Sequence, residues 1–491
     1  MLRAEHGVSK GGGSSSRFAA LAPQDGAVAS IQIILLLHRF NESSTDDALI
    51  LRNLRPIASL LLAAALLLTG NGVQFTLLPL RGQADGFSTV ALGLMGSAYY
   101  VGFVAGCLFA PHVVLRVGHI RTFTAMVAVA AATTLAYALA PQPVAWSLFR
   151  LLTGFALAGF YLVLESWLND GATNATRGFV MSTYVIVNYL AVAGGQSLIN
   201  LYPIESDGAF MLAAILAALA IVPVALTRSA QPAPVTLFRL QPRQLYDAAP
   251  VALIGAFAIG IANGAFWALA PISAAGAGLD HGEVALFMSI AVLAGALAQW
   301  PAGRLSDRID RRKVLLALLV GAAATGFALW QLAATGPLML TFGFLFGALA
   351  LPGYSLAAAH AYDKTPAHDM VATAATVLLA SGLGSVIGPL AATAFITLEG
   401  PRRLFLFTAL VEAALAFYVL YRMCVQAPSE HADKTDFDLV TTAPVGGVVT
   451  SDELDPADPS VGVPEGFVQE SDAENEEKAE REPERVEPAP R

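Results

Sequence analysis

The chain has 491 residues, of which 56% are hydrophobic and 13% charged, and its mean hydropathy is +0.61. An ordinary soluble domain carries roughly a quarter of its residues as charges, so this balance excludes a soluble enzyme and points to a chain made for lipid. The formal net charge of −9 is unevenly placed: residues 427–491 hold 18 acidic and 5 basic residues, which leaves 19 acidic and 23 basic residues in the apolar body.

In chain order, residues 1–52 come first as a cytoplasmic extension expected to be disordered. Its apolar run Ile31–Leu37 is too short to cross a bilayer, and no small-residue cleavage site follows, which argues against a signal peptide. A start codon assigned too far upstream is a second reading of this segment. Hydrocarbon roughly 30 Å thick needs about 20 apolar residues in a helix, and twelve stretches meet that length. The first six lie near 56–80, 89–115, 122–140, 144–168, 179–199 and 208–226. Residues 228–247, with Pro232, Pro234, Pro242 and three arginines, read as a cytoplasmic linker. Six more spans follow near 250–274, 284–302, 314–334, 337–362, 371–398 and 404–425. Continuous apolar runs exclude barrel strands, which are about 10 residues of alternating polarity. The acidic segment from 426 to 491 is rich in Pro, Glu and Asp and is expected to be a disordered cytoplasmic tail. A docking role for a protein partner is the other reading of that tail.

The second set of spans repeats the first. Asn71-Gly72 followed by Pro79 recurs as Asn263-Gly264 followed by Pro271, 192 positions later, and Arg116 and Arg121 recur as Arg308 and Lys313. Farther on the offset is 193, taking Asp170 to Asp363 and Gly195 to Gly388. The expected fold is therefore an all-α integral membrane protein: twelve transmembrane helices in two six-helix bundles, 53–227 and 248–425, related by a pseudo-two-fold repeat. Such duplication suits two bundles that rock about a shared site. Fifteen basic residues flank the spans on one side, Arg52, Arg55, Arg177, Arg228, Arg239, Arg243, Arg304, Lys364 and Arg422 among them. Only Arg81, Arg402 and Arg403 lie on the other. The basic excess places both termini in the cytoplasm.

Cys107 and Cys424 supply neither a disulfide framework nor metal-ligand spacing. No phosphate-binding loop, zinc signature or nucleophile elbow occurs, so no residues stand ready for an ATP-driven pump or an intramembrane hydrolase. The expectation is a protein that is not an enzyme, with no cofactor, no metal and no nucleic-acid partner.

Two local patterns carry mechanism. After the eighth span the chain reads Gly303-Arg-Leu-Ser-Asp307-Arg308-Ile-Asp-Arg311-Arg312-Lys313, and its first-half copy keeps Arg116, Gly118 and Arg121 but has Leu115 in place of the acid. The fourth span carries Arg150-Leu-Leu-Thr-Gly154. The loop resembles the signature Gly-x-x-x-Asp-Arg-x-Gly-Arg-Arg of the major facilitator superfamily, departing at Asp310. The fourth-span pattern is similar to that superfamily's Arg-x-x-x-Gly motif. The resemblance covers roughly residues 53–425. Glu165-Ser-Trp and Gln299-Trp-Pro-Ala-Gly-Arg-Leu-Ser-Asp307 are similar to a bacterial inner-membrane branch whose substrates are poorly defined. The resemblance implies alternating access, with spans one, four, seven and ten lining the central path.

Charge clusters at a helix end can hold two bundles together and release them as they rock. Glu165 and Asp363, at the ends of spans four and ten, are thus expected to face Arg116 or Arg121, and Arg308, Arg311 or Arg312, respectively. Together with Gly303 and Asp307 these form the expected cytoplasmic gate, and topology charges alone are the bland reading. Arg150 lies inside a span, where a basic residue costs about 3 kcal/mol or more and usually faces a cavity or a partner. It reads as an anion or polar-substrate contact, as control of a proton site, or as a side chain snorkelling to the surface.

The other polar groups at mid-span are Asn71, Gln74, Tyr161, Tyr184, Asn188, Asn263, Trp267, Tyr354 and Ser355. Each needs a neighbouring helix or the aqueous path. Glu412, deep in the last span, reads as a packing feature or a proton carrier, and His360 titrates near neutral pH in its ordinary state. The central spans lack rows of acids for cationic drugs and clusters of arginines for phosphate esters. The expected cargo is a small organic solute, neutral or weakly anionic, with protons and membrane lipid as the other partners. A transporter-like receptor or scaffold signalling through the acidic tail is the alternative.

Overall fold

A backbone that crosses hydrocarbon has to satisfy its own amides, and a helix does so within one segment. In the computed structural model twelve helices are long and apolar enough to span: α1 Ala58–Ala84, α2 Thr89–Val117, α3 His119–Leu139, α4 Pro143–Asp170, α5 Arg177–Leu201 and α6 Gly208–Ala225, then α7 Pro250–Gly276, α8 His281–Arg308, α9 Arg311–Gln331, α10 Gly336–Tyr362, α11 Met370–Leu398 and α12 Arg403–Val425. The structure describes residues 57–173, 176–227, 232, 240–331 and 336–425. The N-terminal extension with Arg52 and Arg55, the linker residues Arg228 and Arg239, and the acidic tail lie outside the described residues.

Helix ends follow local chemistry. The Ser88 hydroxyl accepts from the Ala91 amide at 3.2 Å to start α2, and Asp280 with Glu283 forms a reciprocal capping box at the start of α8. Pro143 and Pro250 open α4 and α7, where a missing N–H costs nothing. Gly118, at φ +82°, lets α2 turn into α3 within one residue. Helix α8 runs through Pro301 to Arg308, beyond the apolar stretch, because hydrogen bonding continues where hydropathy stops. A short helix, Pro242–Ala248, precedes α7, and the Gln241 and Gln244 amides donate to Asp369 at 3.3 and 3.2 Å. That ties the end of the linker to the start of α11.

Within lipid, helices associate through close packing at small residues. The duplication is visible in where those residues sit. On the α1–α5 contact, a Cβ at Gly195 would overlap the Thr69 carbonyl, and one at Gly72 the Val192 carbonyl. On the equivalent α7–α11 contact, a Cβ at Gly388 would overlap the Ile261 carbonyl and one at Gly264 the backbone of Ser385. The same rule joins α2 to α4 through Gly102 and Gly154, and α8 to α10 through Gly295 and Gly347. The result is a two-bundle fold in which α2 meets α11, and α5 meets α8, across the junction.

Candidate functional site at the bundle junction

The junction carries two hydrogen bonds that are copies of each other. The Ser97 hydroxyl on α2 donates to the Val386 carbonyl on α11 at 2.7 Å. The Ser289 hydroxyl on α8 donates to the Ala193 carbonyl on α5 at 2.8 Å, and Ser197 lies 3.1 Å from the same hydroxyl. Ser97 and Ser289 are 192 positions apart, Ala193 and Val386 193 apart, and each serine is the ninth residue of its helix. Both bonds therefore sit at one depth, toward the end away from the basic loops. Between them Phe75 of α1 packs on Trp267 of α7, ring centroids 5.1 Å apart. These two residues are repeat mates as well, and a residue that touches its own mate lies at the pseudo-two-fold axis.

Arg150 stands beside this axis. Its guanidinium lies over the Tyr99 ring at 4.3 Å and near the Phe75 ring at 5.6 Å, with the Tyr137 hydroxyl adjacent. The residue is 5% exposed, which excludes snorkelling to the surface. Among the described residues its Nε and Nη1 make no hydrogen bond and no carboxylate pairs with it. Asn71 lies beside Tyr99 and is buried, whereas Asn263 on α7 is half-buried.

Farther toward the basic end, Tyr161 and Tyr184 both flank Asn188, and the Tyr184 hydroxyl donates to Glu165 Oε1 at 3.4 Å. Tyr354 of α10 comes within electrostatic reach of Glu165 and Cys107, which belong to the first bundle. Gln299 on α8 donates to the Tyr189 hydroxyl on α5. Ser355, next to Tyr354, is fully buried.

Other predicted polar residues take their partners within their own bundle. Gln74 donates to Thr134 at 3.0 Å, so its amide nitrogen is spent on α3, a helix of its own bundle. Glu165 does not face Arg116 or Arg121: both arginines are exposed, while Glu165 is buried against Tyr184. The physical reason is helix phase, since Glu165 falls on the face of α4 that turns toward α5. Glu412 is buried in α12, which packs on α7, α9 and α11 of its own bundle.

The basic end of the second bundle holds a charge cluster. Arg311, at the start of α9, places Nε 2.8 Å from Asp363 Oδ2, both side chains being 1% exposed. Its Nη1 reaches Asp307 at 3.1 Å and the Ser306 hydroxyl at 2.9 Å. Gly303 supplies the carbonyl that accepts from Ser306. Asp310 accepts from the Arg312 amide at 2.9 Å and from its guanidinium at 2.8 Å, so it starts α9. Burial pushes the Asp310 carboxyl up, but these Arg312 bonds outweigh it and hold it below the usual aspartate range. His360 is buried beside Asp363, Arg312 and Asp310, while Arg308 is exposed.

Sequence reasoning missed Phe75, Tyr99, Ser97, Ser289, Gln299 and Tyr189 as members of the junction. A signal existed for three of these: Ser97 and Ser289 share the repeat offset with each other, and Phe75 shares it with the predicted Trp267. Nothing local marked Tyr99.

Two bundles of six helices, related by a duplication and meeting around buried polar and aromatic groups, define a membrane transporter architecture. The sequence profile described as Major Facilitator Superfamily matches residues 60–248 and 252–454, and the chain belongs to that family. It is 28% identical over 346 residues to an uncharacterized MFS-type transporter, YcaD, of Escherichia coli O7:K1 (strain IAI39), covering 68% of this chain and 87% of that protein. In fold it is similar to the nucleoside transporter NupG, with a TM-score of 0.64, 14% identity, and coverage of 74% of this chain and 99% of that one. A bacterial homolog of the human lysosomal transporter Spinster gives a TM-score of 0.61 at 15% identity, covering 77% and 98%.

Proposed function

We propose that this protein is a secondary active transporter of the bacterial inner membrane, moving a small organic solute by alternating access with proton coupling. The observation that carries the reading is the contact between the repeat mates Phe75 and Trp267, flanked by the matched Ser97 and Ser289 bonds. A joint built on the pseudo-two-fold axis at one end lets the bundles rock, opening one side as the other closes. The basic excess assigns the other end, and both termini, to the cytoplasm. The aromatic pair and the serine clasp are then the extracellular closure. Arg311, Asp363, Asp307 and Arg312 form the cytoplasmic gate, with His360 buried beside them. Asn71, Asn263, Arg150, Tyr161, Asn188, Tyr354 and Ser355 line the path.

The test uses Asn71→Cys and Asn263→Cys, each on a chain with Cys107 and Cys424 replaced by Ser, and a membrane-impermeant maleimide. The expected result is modification in inside-out vesicles and little in right-side-out vesicles. Two thiols inert from both sides would place these residues in lipid or in a dry core, and the path would be wrong.

A further inference from the structure

Arg150 is a buried cation whose neighbours are aromatic. The faces of Tyr99 and Phe75 cover the guanidinium, and Tyr137 stands beside it. Cation–π contact on the flat face and a hydrogen bond with the Tyr137 hydroxyl compensate part of the lost hydration, but they leave two of the nitrogens unspent. A guanidinium has five N–H donors in a fixed plane, and Nε and Nη1 have no acceptor among the described residues. The carboxylates buried within the spans do not supply one. Glu165 is fifteen residues along α4, roughly 22 Å at 1.5 Å per residue, and Glu412 is in the other bundle.

A carboxylate takes two parallel N–H bonds from one edge of a guanidinium. Whichever of the two bidentate edges it meets, Nε or Nη1 belongs to it, so an unused donor is always engaged. Beside the guanidinium lie the rings of Tyr99 and Phe75, and Phe75 in turn packs on Trp267 across the junction. Asn71 lies beside Tyr99 and offers a polar group with its Oδ1 unbonded. Resting on the transport reading above, we propose that the solute is an aromatic carboxylate, held by its carboxylate on Arg150 and by its ring against the Phe75, Tyr99 and Trp267 side chains.

The experiment uses the purified full-length protein with benzoate, its neutral isostere benzamide, and chloride as probes, read by isothermal titration and thermal shift. Benzoate is expected to bind and raise the melting temperature, with benzamide and chloride at least tenfold weaker. Arg150→Gln should weaken benzoate at least a hundredfold. Arg150→Lys, which keeps the charge but loses the planar fork, should weaken it about tenfold. Both variants should retain the wild-type elution volume, since Arg150→Gln removes the buried charge and Arg150→Lys keeps one that the wild type already holds without a carboxylate partner. Loss of folding in Arg150→Gln leaves Arg150→Lys and the comparison of benzoate with benzamide to decide. Equal binding of benzoate and benzamide, unchanged benzoate affinity in Arg150→Lys, or no benzoate binding by the wild type overturns the proposal. Binding matched by chloride reduces the site to one for inorganic anions and overturns the aromatic part. Flux of radiolabelled benzoate separates the two readings. Binding through Arg150 without movement across the membrane sinks the transport reading and leaves the anion site. Movement of an uncharged solute with no benzoate binding does the reverse.

Discussion

Removing the serine clasp should open the extracellular side by a calculable amount. Ser97→Ala and Ser289→Ala each delete one hydroxyl that crosses the junction, at 2.7 and 2.8 Å. The carbonyls they leave, at Val386 and Ala193, sit in helices and keep their in-helix donors, so no orphaned acceptor adds to the loss. A net hydrogen bond contributes about 1 kcal/mol, and the two serine–carbonyl bonds together about 2 kcal/mol, before counting the Ser197–Ser289 contact that Ser289→Ala also removes. At about 1.4 kcal/mol per tenfold, the ratio of open to closed rises roughly 30-fold. A state held at about 1% in the wild type would then reach roughly a fifth to a quarter of molecules. Spin labels at Gln83→Cys and Leu398→Cys, both exposed near the ends of α1 and α11 that lie away from the basic loops, report that distance in a chain with Cys107 and Cys424 replaced. Pulsed dipolar spectroscopy on the double mutant should show a new long-distance population, and each single mutant a smaller one. Distributions that superimpose on the wild type would show that the two bonds do not hold the bundles together.

Other consequences concern packing and the gate. Gly195→Ala and Gly388→Ala should each destabilise the protein by about 1–3 kcal/mol, because the new methyl meets a backbone carbonyl, whereas Gly194→Ala, with open space around its Cβ, should leave the melting temperature unchanged. Equal melting temperatures for all three would contradict the close helix approach. Asp363→Asn should cost about 3 kcal/mol, since it strips a buried cation of its nearest counter-charge, with Asp307 and Ser306 limiting the loss. Pairing it with Arg311→Gln should recover part of that stability, and transport is expected to stay low in both because the charge cluster proposed as the gate is broken. A double mutant no more stable than Asp363→Asn would refute the ion pair as the source.

How much of this was legible beforehand depends on what each feature rests on. The twelve helices follow from hydropathy, so their centres were readable to within a few residues. The end of α8 was not, since the turn past Pro301 is charged and helical together. The Asp363–Arg311 pair was within reach because the duplicated chain puts an acid opposite a basic loop. Glu165 misled for the opposite reason: its counterpart loop is degraded, and helix phase turns it toward Tyr184. The aromatic shelf under Arg150 depends on how α1 and α2 rotate against α4, which no spacing along one helix reveals. The Ser97 and Ser289 bonds carry their repeat offset in plain view, but serines in spans commonly bond their own helix, so nothing marked them as bridging.

The central claim is that the two bundles move a solute and do not merely bind it. Proteoliposomes holding the full-length chain, with a pH gradient imposed across the membrane, test it directly with radiolabelled benzoate and a panel of uncharged metabolites. The account predicts a solute that moves against its gradient, stops when a protonophore collapses the pH difference, and is lost in Asp363→Asn. A solute that binds the purified protein yet never crosses, with or without the gradient, would contradict it and leave a receptor in its place.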